Sequence, residues 1–460
     1  MEKEKLDKTF KQVASCIESN KKAEVIKILE DLIKESPDDV DAYFFSGTIY
    51  SGIGEYDKTI ESFQRAFSIG FKNTKVTYNL GDLHLSLGRA YSAKNYFDKA
   101  IESFKKAIEL KQDFADTHLL LGHAYVAKHD FANAIDSFQL ALKFKPNDAK
   151  VHCILGIVYF LNHDLDLSIK FLNQSNVLGI KNVKTYRYLG LSYLEKEDYD
   201  KAIESFKQAI ELDVKDVESY GYLGNAYAER EEYDKAIESF NQALALDSKN
   251  TRVVHGLGHA YRAKGDLDKA IGSFKQAIEL DLKDVEAYGC LGNAYAEREE
   301  YDKAIELFQQ AATLVPKNAK IALDFGRVYF KKKDFSKAIE LFKKAIALGL
   351  KDAILYLWIG QSYDGKDDWD NAIANYKKVI ELDPSDIWVY YSISKHYQDK
   401  SDFNLAHKNT DEIISRKPDY FLGHAQKGWI YLAEHQYDEA EKSFIKASEY
   451  TFDKDSSGFR

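Results

Sequence analysis

The chain has 460 residues, of which 64 are basic and 74 acidic, giving a net charge of −10. That balance argues against bulk nucleic-acid affinity, which needs clustered positive charge, and no apolar run approaches the length of a membrane span. Cys16, Cys153 and Cys290 lie more than a hundred residues apart with no CxxC pair, as expected for reduced thiols in a cytoplasmic protein rather than a disulfide framework.

Taken in chain order, the opening MEKEKLDKTFKQ lacks the apolar core of a secretory signal. Residues 1–39 read as a degenerate first copy of a helix pair, keeping Leu29, Leu32 and Pro37. Residues 40–73 form a fuller copy, with Gly47, Tyr50, Phe63 and Ala66 in place. In 74–114 either Gly81 or Gly88 can serve as the anchor. The seven extra residues there are close to two helical turns. They predict one lengthened first helix from about Thr74 to Ser92, with Val76, Leu80, Leu83, Leu87 and Tyr91 on its apolar face. From 115 to 454 ten copies hold strict 34-residue register, marked by Gly122, Gly156, Gly190, Gly224, Gly258, Gly292, Gly326, Gly360, Ser394 and Gly428. The copy at 149–182 is weakened by Ser168, Leu172 and Ser175. Segments 199–240 and 267–308 match at 36 of 42 positions and look like a duplicated double repeat. Residues 455–460 are a polar tail.

A fixed period of this length marks stacked supersecondary units, each burying its apolar face only against its neighbours. In 217–250 the first helix places Tyr220, Leu223, Gly224 and Tyr227 on one stripe, and the second places Ala236, Phe240 and Ala243. The small residues are holes for a closely packed neighbour, and Tyr227 and Phe240 are the knobs. Asp198, Asp266, Asp334 and Asp368 stand where second helices begin, positioned to accept from free amides. Pro146, Pro316, Pro384 and Pro418 follow second helices and prevent continuation.

This signature, Leu-Gly then Tyr then Ala, Phe and Ala at fixed offsets, resembles the tetratricopeptide repeat (TPR). The resemblance implies an all-α, right-handed α-α superhelix, or solenoid, of about 13 helix-turn-helix repeats. It further implies a non-enzymatic scaffold that binds extended peptide segments of partner proteins on the concave wall. Positions facing away from the first helix's buried stripe lie about 200° round the helix. In the family they line that wall, which here would include Asn225, Arg252, His255, His259, Arg262, Asn293, Lys320, Arg327 and Phe330. Arg252, His255, His259 and Arg262 would offer a docking point for an acidic or phosphorylated segment, although Glu218, Glu229, Glu286 and Glu297 share the wall. Trp358, Trp388 and Trp429 also fall at inward positions, with Tyr391 and Lys395 beside them, where aromatic anchors suit a binding hot spot. Trp369 occupies a structural position at the start of a second helix.

No catalytic constellation stands out, and no cofactor is implied. His255 and His259 are spaced i, i+4, but lack the intervening Glu of a metalloprotease helix and an obvious third ligand, so no metal site is assigned. The Lys and Asn set with which some family members clamp a chaperone's C-terminal carboxylate is absent, since Gly221 and Gly289 stand where lysine is needed. The expected partners are proteins or peptides, not nucleic acid or membrane, and uncovered terminal repeats would permit self-association. The alternative reading is a non-catalytic recruiting arm of an enzyme complex whose chemistry lies on another chain or a missing segment.

Overall fold

The computed structural model describes residues 3–70, 80–110 and 114–450. Among them are 26 helices, from Lys3–Glu18 to Tyr437–Glu449, and no strand. The helices follow one another in pairs, so the chain is an all-α solenoid of helical hairpins. They divide between two compact units, Met1–Leu246 and Asp247–Arg460.

The repeat at 319–352 shows why each hairpin closes as it does. Its first helix, Ala319–Lys331, buries Ile321, Ala322, Phe325, Gly326, Val328 and Tyr329 at helical spacing. Lys333 then takes a left-handed φ of 65°, and the Asp334 amide donates back to the Tyr329 carbonyl at 2.9 Å. That is the bond that satisfies a helix's last carbonyls. The Asp334 carboxylate meanwhile accepts from the Lys337 amide at 3.2 Å, capping the second helix, Phe335–Ala347. One residue thus ends one helix and starts the next. Asp198, Asp266 and Asp368 cap their helices in the same way.

The hairpin's two helices meet where a ring enters a hole. A Cβ on Gly326 would lie 2.6 Å from Cε1 of Phe342, whose side chain is fully buried. Only glycine lets the two backbones approach so closely. The contact recurs from Gly47 with Phe63 to Gly428 with Phe444. It also selects between the two candidate anchors in 74–114, because Gly88 faces Phe104 at 2.5 Å. The helix there runs Leu80–Ala93; the expected extension over Thr74 to Asn79 lies outside the described residues, as does the tail at 455–460.

Beyond the degenerate first copy, two repeats depart from the rule. In 149–182 Leu172 replaces the ring against Gly156, and Ser168 bonds Ser192 at 2.9 Å in a buried contact. At 387–420 Ser394 replaces glycine and Thr410 replaces the ring, and the two hydroxyls bond at 2.7 Å. At 387–420 the larger residue in the hole is matched by a smaller one opposite it, so volume is roughly conserved there.

Neighbouring repeats within each unit are also clasped at the surface. In the first unit Asp200 pairs with Arg230 at 2.5 Å, and in the second Asp268 pairs with Arg298 at 2.6 Å. Each such pair is exposed and contributes little by itself. The last helix buries only Ala440, leaving Tyr437 and Ile445 open to solvent. Among the described residues no helix is long and apolar enough to cross a membrane.

Candidate functional site

Within the second unit the first helices of three successive repeats, Thr251–Lys264, Val285–Glu297 and Ala319–Lys331, line an open groove of about 600 Å³. His259, Arg262, Glu286, Asn293, Lys320 and Arg327 contribute to it. Every lining residue belongs to a first helix or, as Asn318, to its cap, and second helices contribute none. Gly289 keeps part of the wall low, since a Cβ there would meet Ile321 Cδ1 at 3.3 Å.

The structure redistributes the four groups expected to make a basic face. His255 is half-buried, with Nε2 at 2.6 Å from the Asp284 carboxylate. His259 packs edge-on to Phe274, ring centroids 5.3 Å apart. Burial, then the nearby Arg262 and His255, push the His259 pKa below the usual histidine value, which favours the neutral ring. Arg262 stands 3.9 Å from Glu297, and Arg252 is exposed. Neither Arg252 nor His255 lines the groove. What remains is a wall of mixed sign, with Arg262, Lys320 and Arg327 set against Glu286 and Asp324. Asn225 lies half-buried in the first unit.

The tryptophans separate into two kinds. Trp358 is half-buried, 4.9 Å from Phe330 in a T-shaped contact and 6.3 Å from Phe342, with the Arg327 guanidinium 5.9 Å from its ring centre. Its position is inward, but packing occupies much of its surface. Trp388 and Trp429 are 40% and 53% exposed. Trp388 meets Tyr391 and Tyr420 edge-on, and Trp429 meets Phe444. Lys395 is exposed on the same helix as Trp388. Trp369 packs on the His396 ring at 6.0 Å, as its structural position implied.

Tetratricopeptide-repeat profiles match residues 255–319 and 295–357, and a TPR-repeat profile matches 365–400. The chain is a tetratricopeptide-repeat protein. Its residues 53–257 are similar to the C-terminal domain of cilia and flagella-associated protein 70. No curated protein sequence matches the chain. Among solved structures, MamA is 28% identical with a TM-score of 0.35, covering 38% of this chain and 95% of its own. Yeast Tom70 is 18% identical, TM-score 0.41, covering 90% and 99%. The Cut9–Hcn1 hetero-tetramer of the APC/C is 15% identical, TM-score 0.41, covering 93% and 95%.

The repeat register explains which groove residues escaped the sequence reading. Cys290, one of three dispersed thiols, holds the sixth position of its repeat, the inward position that Trp358 holds two repeats later, so register and not cysteine spacing is the signal that finds it. Its Sγ lies 3.5 Å from His259 Nε2, and burial pushes its pKa up to about 11. Asn318 was missed because it precedes its helix, where its side chain accepts from the Ile321 amide at 3.1 Å.

Proposed function

We propose that this protein is a non-enzymatic interaction scaffold and that the groove of the second unit takes an extended segment of a partner protein. The observation that carries the reading is the composition of the groove wall: first helices only, with polar groups projecting from three consecutive repeats. A partner backbone laid across them would find amide partners in Asn293 and charged partners of both signs in Arg262, Glu286, Lys320 and Arg327. Such a surface suits a polar segment of alternating charge better than a uniformly acidic one. Exposed Trp388 and Trp429, with Tyr391 and Lys395, supply a second candidate contact where aromatic surface would add anchoring. Several weak contacts on one segment reinforce one another through effective concentration.

The test is selection from a library of random, unstructured peptides on the intact chain, followed by affinity measurement with Asn293→Ala/Arg327→Glu. Selected peptides should bind this variant at least about tenfold more weakly, equivalent to about 1.4 kcal/mol. Peptides that bind both proteins equally would remove the groove from the reading.

A further inference from the structure

At one side of the groove the fold brings together donors that are far apart in sequence. One ring nitrogen from each of His255 and His259 and the sulfur of Cys290 all lie within 4.8 Å of one another. The histidines are one helical turn apart on Thr251–Lys264, and Cys290 arrives from the next repeat's first helix, Val285–Glu297. We propose that these three side chains form a binding site for a borderline-soft divalent ion of the zinc type, with a fourth position left for water or a donor on a bound partner.

Three observations point to a ligand set rather than ordinary packing. First, the His259 Nε2 to Cys290 Sγ separation is 3.5 Å. A tetrahedral zinc ion with bonds of about 2.0 and about 2.3 Å to nitrogen and sulfur spans an N–S edge of roughly that length. Second, His255 is already oriented. Its Nε2 is held by the Asp284 carboxylate at 2.6 Å, while Nδ1 is buried and lacks a partner. Coordination through Nδ1 would keep the Asp284 carboxylate on the far nitrogen, where such a partner fixes the tautomer and raises the basicity of the imidazole, as in many metal sites. Asp284 is itself fixed, because its other oxygen accepts from the Ala287 amide at 2.9 Å as the cap of the next helix.

The third observation comes from the duplicated double repeat, which supplies an internal comparison. Cys290 falls at one of the six positions at which 267–308 differs from 199–240, where its counterpart is Tyr222. At the same offset His255 corresponds to Arg187 and His259 to Leu191, while Asp284 corresponds to Asp216. Arg187 and Asp216 keep the clasp at 2.8 Å. The repeat scaffold therefore accommodates both sets of side chains: His255 and His259 lie just before the duplicated segment and Cys290 within it, and the equivalent positions two repeats earlier carry none of the three donors.

Two imidazoles with one thiolate suit zinc better than a hard, oxygen-seeking cation. Binding would convert the Cys290 thiol to thiolate and release its proton to solvent. Arg262 and Lys320 oppose a dication there, and Glu286 and Asp284 favour it. The inference does not depend on peptide docking in the groove.

The test uses the untagged full chain carrying Cys16→Ser and Cys153→Ala, so that Cys290 is the only thiol. Zinc is titrated against a chromophoric chelator, and cobalt(II) binding is followed by absorption. One zinc per chain should bind, and cobalt should give tetrahedral visible bands with a thiolate charge-transfer band. His255→Arg/His259→Leu/Cys290→Tyr, which installs the residues found at the same positions two repeats earlier and should keep helicity, is expected to lose at least about a hundredfold in affinity. Asp284→Asn keeps a good cap and should lose about 10- to 100-fold. A parent chain that binds zinc no more tightly than the triple variant, or cobalt bound without a thiolate band, would overturn the proposal.

Discussion

Gly326→Ala should destabilise the second unit even though alanine is the better helix former. The added methyl would lie 2.6 Å from Cε1 and 2.7 Å from Cδ1 of Phe342. That ring is fully buried, so it cannot swing aside into solvent. Forcing extra volume into a packed core costs about 1–3 kcal/mol, whereas replacing a helix-interior glycine by alanine contributes about 1 kcal/mol in the other direction. Over most of that range overlap wins, and the net loss is about 1 kcal/mol, or a Tm lower by about 2–4 °C for a block of about 200 residues. Gly272 provides the control. It is exposed in the helix Leu267–Leu280, and a Cβ there meets nothing within 4 Å. Gly272→Ala should therefore raise stability by about 1 kcal/mol. Calorimetry of the full chain gives the shifts, and amide exchange in Ala319–Lys331 locates them, since long repeat arrays need not unfold as one block. If both substitutions stabilise, the ring-in-hole account of the hairpin is wrong.

The turn position supplies a second pair of opposed outcomes. Glu299, at φ 63°, and Gly265, at φ 88°, occupy equivalent left-handed sites. Glu299→Gly should stabilise and Gly265→Ala destabilise, each by about 1 kcal/mol, read as shifts in Tm. Acid should weaken the fold. Burial lowers the pKa of His84, His118 and His123 in the first unit and of His259 in the second. The unfolded chain therefore takes up protons at a higher pH than the folded one, and stability falls as pH drops through about 6.5. His123→Asn should flatten the fall in Tm between about pH 7.5 and about pH 5.5; an unchanged slope would remove that ring from the account. Trp358→Ala should cost about 3 kcal/mol by leaving a cavity beside Phe330 and Phe342. Trp429→Ala, at a half-exposed position, should cost less than about 1 kcal/mol. Equal losses in thermal melts would contradict the assignment of one ring to packing and the other to the surface.

The hairpins were readable because glycine, tyrosine, alanine and phenylalanine recur at fixed offsets, and packing in a solenoid is local. A contact such as Gly326 with Phe342 depends on residues within one repeat, so periodicity alone reveals it. The choice between Gly81 and Gly88 needed the structure, because both fit the phase of one apolar face and only the ring of Phe104 distinguishes them. The groove was legible as a set of inward positions but not as an electrostatic surface. Histidine counted as basic by residue type is biased toward the neutral form at His259 by burial, and at His255 it is matched by Asp284. Cys290 could not be joined to the histidines from spacing within one helix, because its approach depends on how one repeat lies on the next.

The paired hydroxyls of Ser394 and Thr410 have a mechanical consequence. Phe342 belongs to an apolar cluster that runs from Ala270 to Ile359, whereas a smaller one covers only Ala372 to Ile393. In a linear array each segment is held by its neighbours, so a joint made of hydroxyls where others use an aromatic ring transmits cooperativity poorly. Heating or pulling the chain should crack it at that joint. The closing helices would then come away as a short fragment while the rest of the second unit stays intact.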